Sequence, residues 1–348
     1  LDKALVICLI IMEIALFVMI AHSIIQTLYS TILSFWGFGK AKRNYELIED
    51  KTKFLILIAA HNEEDVIANT VSKLRDIEYN KDLFDIYVVN ANSTDRTGEI
   101  CESIGIPYIN TGEKVFEREC VGKPGGIQYA LRHLGYESLP EKYDLVMILD
   151  ADNHVDTNIL KELNSQWQGE GKPEAIQSYL DSKNTKSMLA IGYATSYWVT
   201  NRFFQLAKYR LKLPNAIGGT GFVVRTDWLI EHGGFASKSL TEDLEMEIKI
   251  VEDGGRILWN HFAGVYDEKP DHLKISLKQR MRWAQGHWFV CLTKSKRILK
   301  SFFKKFKYKY IDQLLYLFSM SKGLLLLTTL LFVAFLAICG SSLGLNYM

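Results

Sequence analysis

The chain has little cysteine and no CxxC pair. Its five cysteines, Cys8, Cys101, Cys120, Cys291 and Cys339, are scattered and odd in number. That pattern argues against a zinc site or a disulfide framework and fits a reduced, cytosol-facing domain. A surplus of charge is also missing: 41 Lys and Arg stand against 40 Asp and Glu, for a net charge of +1. Overall charge therefore points to no nucleic-acid partner. No internal repeat or low-complexity tract interrupts the 348 residues. The first residue is Leu1 rather than Met, which fits a piece of a longer protein.

The apolar residues, 48% of the chain, are concentrated at its ends. Residues 5–33 form an apolar stretch with Glu13 and His22 but no Lys or Arg. It exceeds the ~20 residues a bilayer core needs. It is too long for a signal-peptide core and lacks an obvious cleavage site. Lys40, Lys42 and Arg43 follow at once, which predicts that the next domain lies on the cytoplasmic side. Glu13 is either a functional membrane charge or a packed helix position near the headgroups. A second apolar stretch covers residues 324–338, extended back towards Leu314. The basic run Lys294, Lys296, Arg297, Lys300, Lys304, Lys305, Lys307 and Lys309 precedes it. The expectation is a multi-pass protein of the plasma membrane with a cytoplasmic central domain.

The middle alternates strands and helices. Residues 54–60 (FLILIAA) read as a strand buried on both faces. Residues 64–76 have helical spacing, 85–91 (DIYVVNA) are a second strand, and 94–104 a helix. A short strand at 107–110, a helix at 127–134 and a strand at 145–149 (LVMIL) follow. This βαβα order predicts an α/β domain with a mostly parallel sheet. Ligands of such sheets sit beyond the carboxyl ends of the strands. His61-Asn62-Glu63-Glu64, residues 90–95 and Asp150-Ala151-Asp152 all fall at strand ends, so three polar clusters converge on one crevice.

Three short pieces carry chemistry. Asp150 and Asp152 are two apart at a strand end, so both side chains can face one way. Carboxylates this close repel unless a cation lies between them, and Mg²⁺ or Mn²⁺ suits such oxygens beside phosphates. The other reading is an exposed Asp-Ala-Asp-Asn turn. Thr241-Glu242-Asp243 opens an amphipathic run. It reads as an N-cap with acids in the first helical turn, or as a general base facing the crevice. Gln279, Arg282 and Trp283 lie three and four apart on one helix face. Arg282 can grip phosphate through its planar fork, and Trp283 can stack on a sugar ring. Residues 278–309 also read as an interfacial amphipathic helix, with Trp288, Phe289, Phe302, Phe303 and Phe306 among lysines.

Together these pieces resemble the membrane-bound family 2 glycosyltransferases, the group of cellulose synthases, hyaluronan synthases and poly-N-acetylglucosamine synthases. The resemblance runs from about Phe54 to the end. It rests on AAHNEE (59–64), NANSTDRT (90–97), GKPGGIQYAL (122–131), DADN (150–153), GGTGFVVR (218–225), TED (241–243) and QRMRW (279–283), in that order and spacing. It implies a Rossmann-like GT-A fold flanked by transmembrane and interfacial helices, a UDP-sugar donor, and inversion at the anomeric carbon. Carried over, Asp150 and Asp152 hold UDP through Mg²⁺ or Mn²⁺, and Asp243 is the base beside Glu242. Glu63, Asn92 and Lys123 serve nucleotide and diphosphate. Gln279 and Arg282 border the donor, Trp283 the acceptor, and Gly219 and Thr220 belong to a loop that approaches the acceptor closely. One departure is Asn90-Ala91-Asn92, where the family usually has an acid.

The implied organisation is a transmembrane helix (1–38), a cytoplasmic GT-A domain (50–283), a basic interfacial region (284–310) and a C-terminal transmembrane segment (311–348). Polymer-secreting relatives usually have more membrane helices. Truncation, a homo-oligomer or secretion partner, or transfer of a single sugar would each account for that. Three functions stay open: polysaccharide synthesis at the lipid bilayer, sugar transfer to a lipid acceptor, and an inactive sugar-nucleotide-binding subunit. The acceptor is a saccharide or a lipid accordingly.

Overall fold

The computed structural model describes residues 3–113, 115–117, 119–319, 327, 329–335 and 337. The first half runs α1 (Lys3–Ser34), β1 (Phe54–Ala60), α2 (Ile67–Arg75), β2 (Phe84–Asn90), α3 (Thr97–Ser103), β3 (Tyr108–Asn110), α4 (Gly122–His133), α5 (Leu139–Lys142), β4 (Leu145–Asp150) and β5 (His154–Val155). The second half runs α6 (Ile159–Gly169), β6 (Ala175–Ser182), α7 (Met188–Thr200), α8 (Leu206–Arg210), β7 (Phe222–Arg225), α9 (Thr226–Glu231), α10 (Glu242–Asp253), β8 (Ile257–Asp267), α11 (Leu273–Lys305) and α12 (Tyr308–Leu317). A π-helical turn, Asn201–Gln205, joins α7 to α8.

One sheet, in the order β3-β2-β1-β4-β7-β6-β8-β5, organises the domain. The β3-β2-β1-β4 half is parallel throughout. β7 is antiparallel to β4 and to β6, β8 is parallel to β6, and β5 is antiparallel to β8. β1 shows why its sequence is an unbroken apolar run. Alternate side chains point to opposite faces of a strand. Leu55 and Leu57 therefore join one core with Ile127 and Val146, while Phe54, Ile56 and Ile58 join another with Ile67 and Leu160. Both faces are covered, so neither set of positions can be polar.

Register then places the chemistry. Ala60 is opposite Asn90, and Ala59 is opposite Asp150, so the ends of β1, β2 and β4 finish side by side. Just beyond them Asn62 and Asn92 take φ of 59° and 57°. That left-handed region is one Asn tolerates better than most residues.

α1 is apolar and mostly uncovered. Residues Ile10–Gly37 are long and apolar enough to cross a membrane, with mean hydropathy 1.9 and 6% buried. Among the described residues this is the only helix that meets both conditions. Residues 324–338, expected as a second span, lie partly outside the described residues, which include only 327, 329–335 and 337 of that stretch. The end of α1 is tied to the domain. Gln26 donates to the Leu315 carbonyl at 2.9 Å, and the Tyr29 hydroxyl donates to Asp312 at 2.7 Å. α11 is one continuous helix of 33 residues, so the QRMRW motif and most of the basic run share a single element.

Candidate active site

A crevice of about 430 Å³ lies beyond the end of β4. Lys123, Asp150, Gly219, Thr220, Glu242, Asp243, Gln279, Arg282 and Trp283 all line it. The sequence places these nine residues on five separate segments, and the fold brings them together. Glu63, Asn92 and Asp152, expected in the same site, do not line this crevice. They stand just beyond the ends of β1, β2 and β4.

Lys123 is the hinge between these two regions. Its Nζ donates to the Gly219 carbonyl at 2.8 Å and pairs with Asp150. The backbone N–H of Asp150 donates to Asn153 Oδ1 and to Thr220 Oγ1, both at 3.0 Å. Asn153 is fully buried, so this part of the DADN turn is locked to the glycine loop rather than exposed. Asp152 accepts from the Glu268 N–H at 3.2 Å and from the Asn153 side-chain amide at 3.1 Å.

The charge balance here is uneven. Burial and then the Asp150 charge push the Asp152 carboxyl up. Glu63 is pushed up to about 7 by burial, then by Asp152 and Asp150. Among the described residues no three His, Cys, Asp or Glu side chains are placed to hold a metal ion alone. Mg²⁺ does not need them: it usually takes one or two carboxylates and completes its shell with water and substrate phosphate. The Asp150 and Asp152 carboxylates, the first of them paired with Lys123, are oxygen donors of the kind such a cation takes.

Asp243 sits at the start of α10, in the first turn with Glu242. Its Oδ1 accepts from the Leu244 N–H at 2.8 Å. Burial first, and then the Glu242 charge, raise its carboxyl to about 7. A carboxylate with that affinity for protons is suited to general-base work near neutral pH. Thr241 occupies the N-cap position, but its side chain makes no cap hydrogen bond. Its hydroxyl is instead 3.0 Å from Ser239 Oγ, and Gly286 of α11 packs against its side chain. Tight packing of α10 on α11 overrides the cap that the sequence suggests.

α11 closes the crevice. Gln279 Oε1 is buried without a hydrogen-bond partner among the described groups. Arg282 is exposed and forms no ion pair among the described residues. Trp283 is half-buried and lines the crevice with them. A free guanidinium and an unmatched amide oxygen are groups that a polar ligand can satisfy.

Several lining residues escape the sequence reading. Asp267 and Lys269 form a buried ion pair on the crevice wall, with the Lys269 ammonium 3.3 Å from the Tyr197 ring centre. Burial raises the Asp267 carboxyl to about 6 and lowers the Lys269 ammonium. Tyr193, His287 and Tyr316 also line the crevice. The only local signal was the run Asp-Glu-Lys-Pro at 267–270, which alone resembles any exposed turn.

Residues 55–232 match the model of glycosyl transferase family 2, and residues 145–341 match that of glycosyl transferase family group 2. The chain is 29% identical over 274 residues to a probable glycosyltransferase of Bacillus subtilis, covering 78% of this chain and 63% of that one. It is 27% identical to a beta-monoglucosyldiacylglycerol synthase of Nostoc sp., covering 72% of this chain and 52% of that one. It is 26% identical to a poly-beta-1,6-N-acetyl-D-glucosamine synthase of Staphylococcus aureus, covering 75% and 59%. The chain thus spans between 52% and 63% of the length of these relatives. Among solved structures it is similar to a mannosyltransferase from Pyrobaculum calidifontis in complex with GDP-Man and Mn²⁺, with TM-score 0.65, 19% identity, and coverage of 94% and 87%. That likeness extends over the curled sheet and its helices and shows a GT-A-like fold. With family matches over more than half its length and its motifs gathered in one crevice, the chain belongs to glycosyltransferase family 2.

Proposed function

We propose that this protein is an inverting hexosyltransferase. It moves a hexose or N-acetylhexosamine from a UDP-sugar to an acceptor hydroxyl at a membrane, in polysaccharide synthesis. One observation carries the reading: Asp243 lines one crevice together with Asp150, Lys123, Gln279, Arg282 and Trp283. A shared crevice is what a base needs if it is to meet an acceptor hydroxyl beside a donor diphosphate.

The steps assigned to the chain's own residues follow. Glu63 and Asn92 receive the nucleotide, and Lys123 and Arg282 meet the diphosphate. Asp150 and Asp152 would hold Mg²⁺ or Mn²⁺, whose charge would offset the leaving diphosphate. Asp243 takes the proton from the acceptor hydroxyl as that oxygen attacks the anomeric carbon. Trp283 and the 218–221 loop hold the acceptor.

A second reading is transfer of a single sugar to a lipid. An apolar cavity of about 720 Å³ favours it. Tyr29, Leu33 and Phe38 line this cavity beside α1, and Tyr197, Ile217, Gly218 and Tyr316 line both cavity and crevice. Its size falls in the roughly 300–1,000 Å³ range of small-ligand pockets. Nucleoside diphosphate release (UDP or GDP) from membranes given UDP-glucose, UDP-N-acetylglucosamine, UDP-galactose and GDP-mannose identifies the donor. Release with the GDP-sugar alone would contradict the UDP assignment. A ladder of long products supports the polymer reading, and one glycolipid product supports the lipid reading. The same proposal puts the domain on the cytoplasmic face. Exposed Lys161, replaced by Cys, should resist an impermeant thiol reagent in intact cells, and labelling would overturn that placement.

A further inference from the structure

Glu247 lies four residues after Asp243, one turn along the same face of α10. It is completely buried and does not line the crevice, so the proposed transfer steps make no use of it. A carboxylate in such a place is costly unless its oxygens are matched. Both are. One oxygen accepts from the Ile217 N–H at 3.1 Å, and the other accepts from the Gln313 side-chain amide of α12. Lys208 of α8 supplies the nearby positive charge, itself paired with Asp312 at 2.9 Å.

The Ile217 contact reaches the chemistry. Ile217 leads directly into the 218–221 loop, whose Gly219 carbonyl accepts from Lys123 and whose Thr220 hydroxyl accepts from the Asp150 N–H. A Cβ placed on Gly219 would stand 3.2 Å from Asp243 Oδ2, so this loop lies directly against that carboxylate. The loop thus packs against Asp243, and the segment that leads into it is hydrogen-bonded to Glu247 one turn further along the same helix.

We propose that Glu247 is a positioning residue for sugar transfer, holding the Ile217–Thr220 backbone in register with Asp243 through the Ile217 N–H. The proposal rests on Asp243 being the base. It places the control of that register in the buried Glu247–Gln313 contact, where α10 meets α12.

The test uses the full chain in detergent with three variants, Glu247→Leu, Glu247→Gln and Gln313→Leu. UDP titration gives nucleotide affinity and the number of binding-competent molecules. UDP release from the donor that supports turnover gives kcat per competent molecule. Small misplacements of reacting groups can cost about a hundred-fold. Glu247→Leu should accordingly lower kcat about ten- to hundred-fold, with UDP affinity within about three-fold of the parent. Glu247→Gln, which keeps an acceptor for the Ile217 N–H, should recover to within about five-fold of the parent. Gln313→Leu should lower kcat about three- to ten-fold and decides the matter if Glu247→Leu does not fold. Parental kcat in the leucine variants would overturn the proposal. So would a Gln variant as slow as the Leu variant, or parallel loss of kcat and UDP affinity. Asp243→Asn in the same assay separates the two ideas: full turnover there removes the base, whereas its loss beside normal Glu247 variants removes only the positioning role.

Discussion

Asp243 Oδ2 lies so close to Gly219 that a Cβ built on the glycine would stand 3.2 Å away. Gly219 also has φ of +81°, a conformation that side-chain-bearing residues rarely adopt. The glycine is thus fixed by two separate constraints. Gly219→Ala should lower kcat by about ten-fold or more, because strain and crowding both fall on the base rather than on a distant part of the fold. Measured turnover within about two-fold of the parent would show that the loop can move away freely.

The pH profile should expose the base. Asp243 is raised to about 7 by burial and then by Glu242. It accepts a proton only when ionised, so activity should be present above that pH and fall as pH drops through it. Glu242→Gln removes a neighbouring negative charge, which eases ionisation of Asp243. The acid limb should therefore move to lower pH. A limb that stays in place, or moves up, contradicts the assignment.

Chelation should silence the enzyme. Asp152→Ala should not be rescued by ordinary Mg²⁺ or Mn²⁺, since the remaining Asp150 is paired with Lys123. Activity measured in excess EDTA gives the answer, and undiminished turnover there would exclude a required divalent cation.

Arg282→Lys should cost far more than a charge-preserving change suggests. Lys keeps the charge but loses the planar fork that spans two phosphate oxygens. Trp283→Ala should weaken acceptor use and leave UDP affinity nearly intact. UDP titration followed by acceptor variation checks both. The roles are reversed if Trp283→Ala loses UDP affinity while Arg282→Lys keeps affinity and turnover.

The parallel half of the sheet was legible in the sequence because burial on both faces demands uninterrupted apolar runs. β1 matches its expected span residue for residue, and β4 differs only by including Asp150. The other half was not legible. β6 and β8 carry buried Gln177, Ser178 and Asn260, which read as surface residues. Gln177 is satisfied by the Thr220 and Gly221 carbonyls at 3.0 and 3.1 Å, partners more than forty positions away that periodicity cannot reveal. The same holds for the site. Asp150, Asp243 and Arg282 stand in recognisable motifs. Asp267, Lys269 and Glu247 acquire meaning only when distant elements pack against them. The Asn90-Ala91-Asn92 segment ends β2 as expected, and Asn90 Oδ1 is buried there without a hydrogen-bond partner among the described groups.

The central claim is that Asp243 removes the acceptor proton. It is tested most directly by Asp243→Asn, which keeps shape and removes the proton acceptor. UDP affinity by titration and UDP-sugar turnover should be measured on the same preparation. The account predicts UDP affinity within about three-fold of the parent and turnover lower by about 10²–10⁴-fold, the usual contribution of a general base. Turnover above about a third of the parent, with UDP still bound, would take Asp243 out of that role.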